Sequence, residues 1–264
     1  MPLSSEIKKL TQLSSREIDH LKMLRWKART DLGFLCREIL NYPDVSDEIH
    51  KPILNILQKF PTPNREQFLE NDKVISGQWE YKPIQRISSL SGNRRNLILD
   101  FRGSLKTTIN AQAHSIQWII NYPDIAMLLF QSNLDKAEII LGEIKKHFQY
   151  NPIFRQLFPE HCPIQTKADD FGTKGKFTTR ARGRTVTRKE ETLSASSIDS
   201  GSSGIHVDVM KFSDIVEPSN VGTLDQMDSV SNSFYQAQNL LVGPKYWIDV
   251  EGTRYHFNDL YACQ

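Results

Sequence analysis

The strongest periodicity in the chain lies between Leu134 and Tyr150, where Ala137, Ile140, Leu141, Ile144 and Phe148 share one helical face. It predicts an amphipathic helix over that whole stretch. Near the start, Ser15-Arg16-Glu17-Ile18 can cap a second helical segment, in which Ile18, Leu21, Leu24 and Trp26 recur at roughly helical spacing. The pattern continues from Asp31 to Leu40, breaks at Asn41-Tyr42-Pro43-Asp44, and resumes from Asp47 to Phe60. Pro61, Pro63 and Asn64 then mark a loop.

Beyond Asn96 the texture changes. Leu97-Ile98-Leu99 and Ile125 to Phe130 are short continuous apolar runs of the kind found in strands buried on both faces. Each is followed by a polar loop and a helical pattern, Thr108 to Asn121 after the first and Leu134 to Tyr150 after the second. Thr185–Thr187, Thr192–Ile198, Ile205–Phe212 and Tyr246–Val250 also read as strands, and Thr223 to Leu241 as a helix. This alternation predicts an α/β fold with a mostly parallel central sheet flanked by helices. A helical segment over residues 1–65 would pack on a core over residues 66–264.

Composition narrows the class without naming it. A chain of 264 residues suits one large α/β domain, or one domain with a helical appendage. A net charge of +2 does not by itself announce nucleic acid, so any basic surface must be local. Lys174, Lys176, Arg180, Arg182, Arg184, Arg188 and Lys189 form the marked basic stretch, a candidate for phosphate-backbone contact or for an arginine acting on a neighbouring subunit. Cys36, Cys162 and Cys263 make no CxxC pair, so neither a zinc site nor a disulfide framework is indicated, and a reducing cytosol is the simplest compartment. The N-terminus has no signal-peptide core, and the longest apolar runs are too short to span a bilayer.

The loop from Arg102 to Thr108 carries the candidate chemistry. A nucleoside triphosphate site needs backbone amides at a helix N-terminus, a Lys for the β/γ oxygens and a hydroxyl for Mg²⁺. Lys106 and Thr107 supply the last two, between an apolar strand and a helix. Against the general GxxxxGK[ST] pattern, Asp100 stands at the first glycine and Leu105 at the second. A later strand ends in Phe212-Ser213-Asp214-Ile215-Val216-Glu217, where an acid could serve the metal or the attacking water.

Taken together, these segments resemble the N-terminal ATPase domain of the large terminase subunits of tailed bacteriophages. Phe101-Arg102-Gly103-Ser104-Leu105-Lys106-Thr107-Thr108 is similar to the family's deviant phosphate loop, with Phe101 in place of a common Pro. Ser132-Asn133-Leu134-Asp135-Lys136-Ala137, the Asn151–Pro159 stretch and Gly204-Ile205-His206-Val207-Asp208 follow in the family's order. Gly252-Thr253-Arg254-Tyr255 with Asp259-Leu260-Tyr261 resembles its coupling motif.

The resemblance implies an ASCE-type P-loop NTPase fold with ATP and Mg²⁺ as ligands. Gly103, Ser104, Leu105, Lys106, Thr107 and Thr108 would cradle phosphate, and Arg102 would sit near the γ-phosphate. Thr107 and Asp214 would face the metal, Asp214 and the weaker candidate Glu217 would serve the attacking water, and Gly252, Thr253 and Arg254 would couple hydrolysis to movement. Implied partners are double-stranded viral DNA, a portal protein, a small terminase subunit and further copies in a ring, in the host cytoplasm and away from membranes.

Two departures qualify what is expected. The family commonly ends its acidic strand with two acids, whereas this chain has Ser213-Asp214, and Lys211 sits inside the strand, where an unpaired ammonium is costly. Hydrolysis could therefore be weak, making the chain a nucleotide-binding assembly component in which Ser213→Asp raises turnover. A helicase-like P-loop ATPase is the third reading. The matched landmarks run from about residue 96 to 261, so the nuclease activity of whole large terminases is not expected of this chain.

Overall fold

The computed structural model describes residues 10–58, 65–80, 92–164, 171–183, 188–200, 204–243 and 245–262. Helix α1 (Ser15–Thr30) starts where Ser14 and Glu17 form a reciprocal capping box, one residue ahead of the expected cap. It is followed by α2 (Leu32–Phe34), which runs on into a wide turn at Leu35–Ile39, and by α3 (Asp47–Leu57) and α4 (Arg65–Asn71). A short antiparallel hairpin of β1 (Lys73–Ile75) and β2 (Gln78–Glu80) precedes the main sheet.

That sheet is built from β3 (Arg94–Leu99), β4 (Met127–Gln131), β5 (Lys176–Phe177), β6 (Leu193–Ser197), β7 (Val209–Ser213) and β8 (Trp247–Gly252). Its order is β3-β8-β7-β4-β6-β5, parallel throughout except for the two-residue edge strand β5. The connecting helices are α5 (Ser115–Asn121), α6 (Leu134–Tyr150), α7 (Pro152–Leu157), α8 (Arg180–Gly183) and α9 (Leu224–Ala237). The fold is therefore α/β, with a six-stranded, mostly parallel central sheet flanked by helices. The expected strand at Thr185–Thr187 lies outside the described residues.

Strand β4 shows why its sequence is continuously apolar. Met127 and Leu129 enter a core shared with α1, α5 and α6, while Leu128 and Phe130 enter a second core with α9. Phe130 stacks on Phe212 of β7, with ring centroids 4.7 Å apart. Asn133 caps α6, Asn151 caps α7 ahead of Pro152, and Thr223 forms a capping box with Gln226 at α9. These caps fix where α6, α7 and α9 begin.

The N-terminal helices are bound to the sheet layer by polar clamps as well as by the shared core. Arg25 is buried and pairs with Asp72 at 2.6 Å and Glu160 at 2.8 Å, while its guanidinium lies over the Trp79 ring. Asn121 donates to the carbonyl of Arg29, and Gln117 to that of Ala28. Among the described residues no helix is long and apolar enough to cross a membrane.

Candidate functional site

Parallel strands bring their C-terminal ends to one edge of a sheet, where ligands of open α/β folds collect. Here that edge gathers the loops after β3, β8 and β7. Strand β8 lies between the other two, so register decides which side chains meet. Leu99 of β3 stands opposite Gly252 of β8, and Ser213 of β7 stands opposite Glu251.

The loop after β3 turns tightly. The amide of Ser104 donates to the carbonyl of Phe101 at 3.3 Å, and Gly103 adopts a φ of 92°. Leu105 also lies in the left-handed region, at a φ of 55°. A leucine there costs about 1–2 kcal/mol relative to glycine, so the backbone keeps a glycine-like shape at the position where the general phosphate-loop pattern has one. The chain then enters eight residues of wide π-helical winding, Thr107–His114, which lead into α5. Such winding is rare and concentrates at functional sites.

Lys106 is buried, yet its ammonium reaches the strand edge. It donates to Thr253 Oγ1 at 3.2 Å and lies 3.9 Å from Asp214 Oδ1. Asp214 closes β7 at a φ of 45°, a conformation aspartate tolerates better than most residues. Burial raises its pKa, against the opposing charges of Lys106, Lys136 and Arg102. Arg102 is exposed, and its charge acts on Asp214. Ser104 is buried with a hydroxyl that has no partner among the described residues. The structure thus brings Arg102, Lys106, Thr107, Asp214 and Thr253 to one edge.

Other expected residues are placed differently. Glu217 is tied to Lys136 in an ion pair and caps the short turn at Pro218–Asn220, while its charge also acts on Asp214. Gly252 is fixed by packing, because a Cβ there would meet Tyr261 Oη at 2.2 Å. Arg254 lies 3.7 Å from Asp259, whose other oxygen accepts the amides of Tyr255 and His256 and shapes the turn after Thr253. Much of the basic stretch is engaged within the fold. Arg188 pairs with Asp208 and Glu190, Lys174 with Glu138 and Lys176 with Glu191, while buried Arg182 donates to the Ile125 carbonyl. Arg184 lies outside the described residues.

Lys211 has the partners that its burial demands. Its ammonium is paired with Asp249 of β8 and contacts Asn110 Oδ1 at 2.8 Å and His114 Nδ1 at 2.7 Å. Asp249 also accepts from Asn96 at 2.6 Å and from the Trp247 indole at 2.7 Å. Burial alone would raise the Asp249 carboxyl, but Lys211 and His114 outweigh it and hold the pKa below the usual range. Burial, reinforced by the Lys211 charge, lowers His114 to about 4, so the ring is neutral near pH 7.

Sequence reasoning missed Glu251. It is fully buried at the end of β8, and its Oε1 accepts from Ser213 Oγ at 2.6 Å. Gln131 of β4 donates to the same serine oxygen at 3.1 Å. Thr107 and Asn110 flank the carboxylate, while its Oε2 has no well-formed hydrogen bond among the described residues. Burial, with a contribution from Asp214, raises its pKa to about 7. The available signal was two acids, Asp249 and Glu251, in an otherwise apolar strand.

Compared with known proteins, the chain matches no protein-family model and no curated protein. No group of three His, Cys, Asp or Glu side chains suited to a metal occurs among the described residues. A Mg²⁺ carried by nucleotide phosphates needs no such group, since it keeps several waters and takes few protein oxygens. The Ser104 hydroxyl has no partner among the described residues, and the Glu251 carboxyl interacts with the Thr107 side chain.

Proposed function

We propose that this chain is a P-loop ATPase domain, and specifically the ATPase domain of a viral DNA-packaging terminase. The observation that carries the reading is the meeting of Lys106, Asp214 and Thr253 beside a loop with a glycine-like backbone at Leu105. The order of landmarks along the sequence, from the phosphate loop to the Gly252-Thr253-Arg254 segment, supports the more specific terminase assignment.

In this reading the loop amides from Gly103 to Thr108 and the Lys106 ammonium hold the phosphates, with the Ser104 hydroxyl as a further donor. Thr107 would hold Mg²⁺, which supplies charge neutralisation between the phosphates. Asp214 would accept a proton from, or orient, an attacking water. Its raised pKa brings it closer to neutrality than an exposed aspartate. Arg102, exposed at the mouth, stabilises charge developing on the terminal phosphate.

Thr253 connects this chemistry to movement. Its hydroxyl accepts from Lys106, so a change in what Lys106 contacts is felt at once by the turn that Asp259 shapes. In the assembled machine that turn would act on double-stranded DNA, with portal, small subunit and neighbouring copies completing the motor. The serine at position 213 favours a second reading, in which the domain binds ATP but hydrolyses it poorly.

Turnover separates the two. A motor domain hydrolyses Mg-ATP, and Lys106→Ala lowers the rate by about 100-fold or more, the scale of losing a preorganised charge-stabilising donor. Unchanged turnover in the Lys106 variant overturns the ATPase assignment. Tight nucleotide binding without turnover in the native chain selects the second reading.

A further inference from the structure

An acid absent from β7 and an unusual acid on β8 stand side by side. The resemblance expects a metal-facing carboxylate at Ser213, whose hydroxyl cannot supply the charge. Glu251 is the ladder partner of Ser213 across β7 and β8, and the two side chains are joined at 2.6 Å. Burying a carboxylate at the end of a central strand is costly unless it is paired or serves a purpose. Its Oε2 makes no hydrogen bond of normal geometry among the described residues, and the carboxyl interacts with Asn110 and with Thr107, the hydroxyl expected to face the cation.

We propose that Glu251 takes the place of the acid missing at Ser213, so that β8 supplies a cation-facing carboxylate alongside Asp214 at the end of β7. This rests on reading the site as one for Mg-ATP. Ser213 becomes a positioning residue. Its hydroxyl, fixed by the Gln131 amide, donates to Oε1 and holds the carboxylate in place. A carboxylate there would suit a hard cation that retains its waters, with Glu251 and Thr107 as the residues that would hold it. The same contact changes what Ser213→Asp should do. Two carboxylates so close cannot both ionise, so that substitution alone does not improve the site.

The test separates metal-dependent from metal-independent nucleotide binding. A fluorescent ATP analogue is titrated into the native chain, Glu251→Gln and the exchange variant Ser213→Asp/Glu251→Gln, once with Mg²⁺ and once with EDTA. Circular dichroism checks each fold. Glu251→Gln is expected to keep near-native affinity in EDTA while the gain on adding Mg²⁺ falls by about 10-fold or more. The exchange variant, with its carboxylate back on β7, should regain most of that gain.

A native Mg²⁺ gain in Glu251→Gln, or an equal loss in EDTA, overturns the proposal and leaves the ATP site standing. Absence of nucleotide binding by the native chain in both buffers overturns the ATP site and the proposal together. Ser213→Ala, which removes only the positioning hydroxyl, should lose part of the Mg²⁺ gain. It decides the matter if Glu251→Gln does not fold, and an undiminished gain there counts against the proposal.

Discussion

At the scale of single residues, the most informative feature is a leucine in a conformation suited to glycine. Leu105 holds a φ of 55° directly before Lys106. It is half-buried against the larger of the two cores, which offsets part of the strain. Leu105→Gly exchanges packing for backbone relief and should leave stability and ATP affinity near native. Leu105→Ile should cost about 1–2 kcal/mol more than the glycine variant, because a branched Cβ tolerates left-handed backbone poorly. Urea unfolding of the two variants, alongside ATP titration, checks this; equal stability would show that the backbone there is set by something other than the loop's own geometry. The glycine-like site could be anticipated from the sequence, because Lys106-Thr107 fixes the phase of the pattern. Glu251 could not, since its meaning arises only from standing opposite Ser213.

At the scale of elements, strong periodicity proved readable and pairing did not. Helix α6 spans Leu134–Tyr150, as its apolar stripe predicts, and β4 falls within one residue of the end of its apolar run. The edge strand β5 is only two residues long and the β1–β2 hairpin three a side, too short for any periodicity to register. The expected strand from Ile205 begins in earnest only at Val209, although Val207 makes an isolated bridge to Leu241. Between them Asp208 joins Ala126 through both side chain and backbone: its carboxylate accepts the Ala126 amide at 2.8 Å, and its own amide donates to the Ala126 carbonyl. The clamp joining α1 to the region after α7 gives a test at this scale. Glu160→Ala removes the acid shared by buried Arg25 and Arg29 and leaves Arg25 with Asp72 alone; it should destabilise the chain by about 3 kcal/mol, the low end for breaking a buried pair. A loss below about 1 kcal/mol in urea unfolding would mean the pair is solvated and the helical segment is not clamped there.

Over the whole molecule, fold class followed from alternation alone, because strands buried on both faces must be continuously apolar and their crossovers must be helical. The order of the strands did not follow, and it is the order that makes the site. By lying between β3 and β7, β8 brings Glu251 and Thr253 against the loop after one strand and the acid after the other. The buried Lys211–Asp249 pair secures the same three strands from behind, with Asn96 of β3 completing it. Of the basic stretch that the sequence offers as a candidate for phosphate contact or for a trans-acting arginine, Lys174, Lys176 and Arg188 pair in space with Glu138, Glu191, Asp208 and Glu190. The central claim concerns the loop that this arrangement frames. Calorimetric titration of Mg-ATP into the native chain and into Lys106→Ala measures it most directly: saturable binding that weakens by about 10-fold or more in the variant, as loss of a charged phosphate contact requires, is the predicted result, and native binding unchanged by the substitution, or no binding at all, would contradict it.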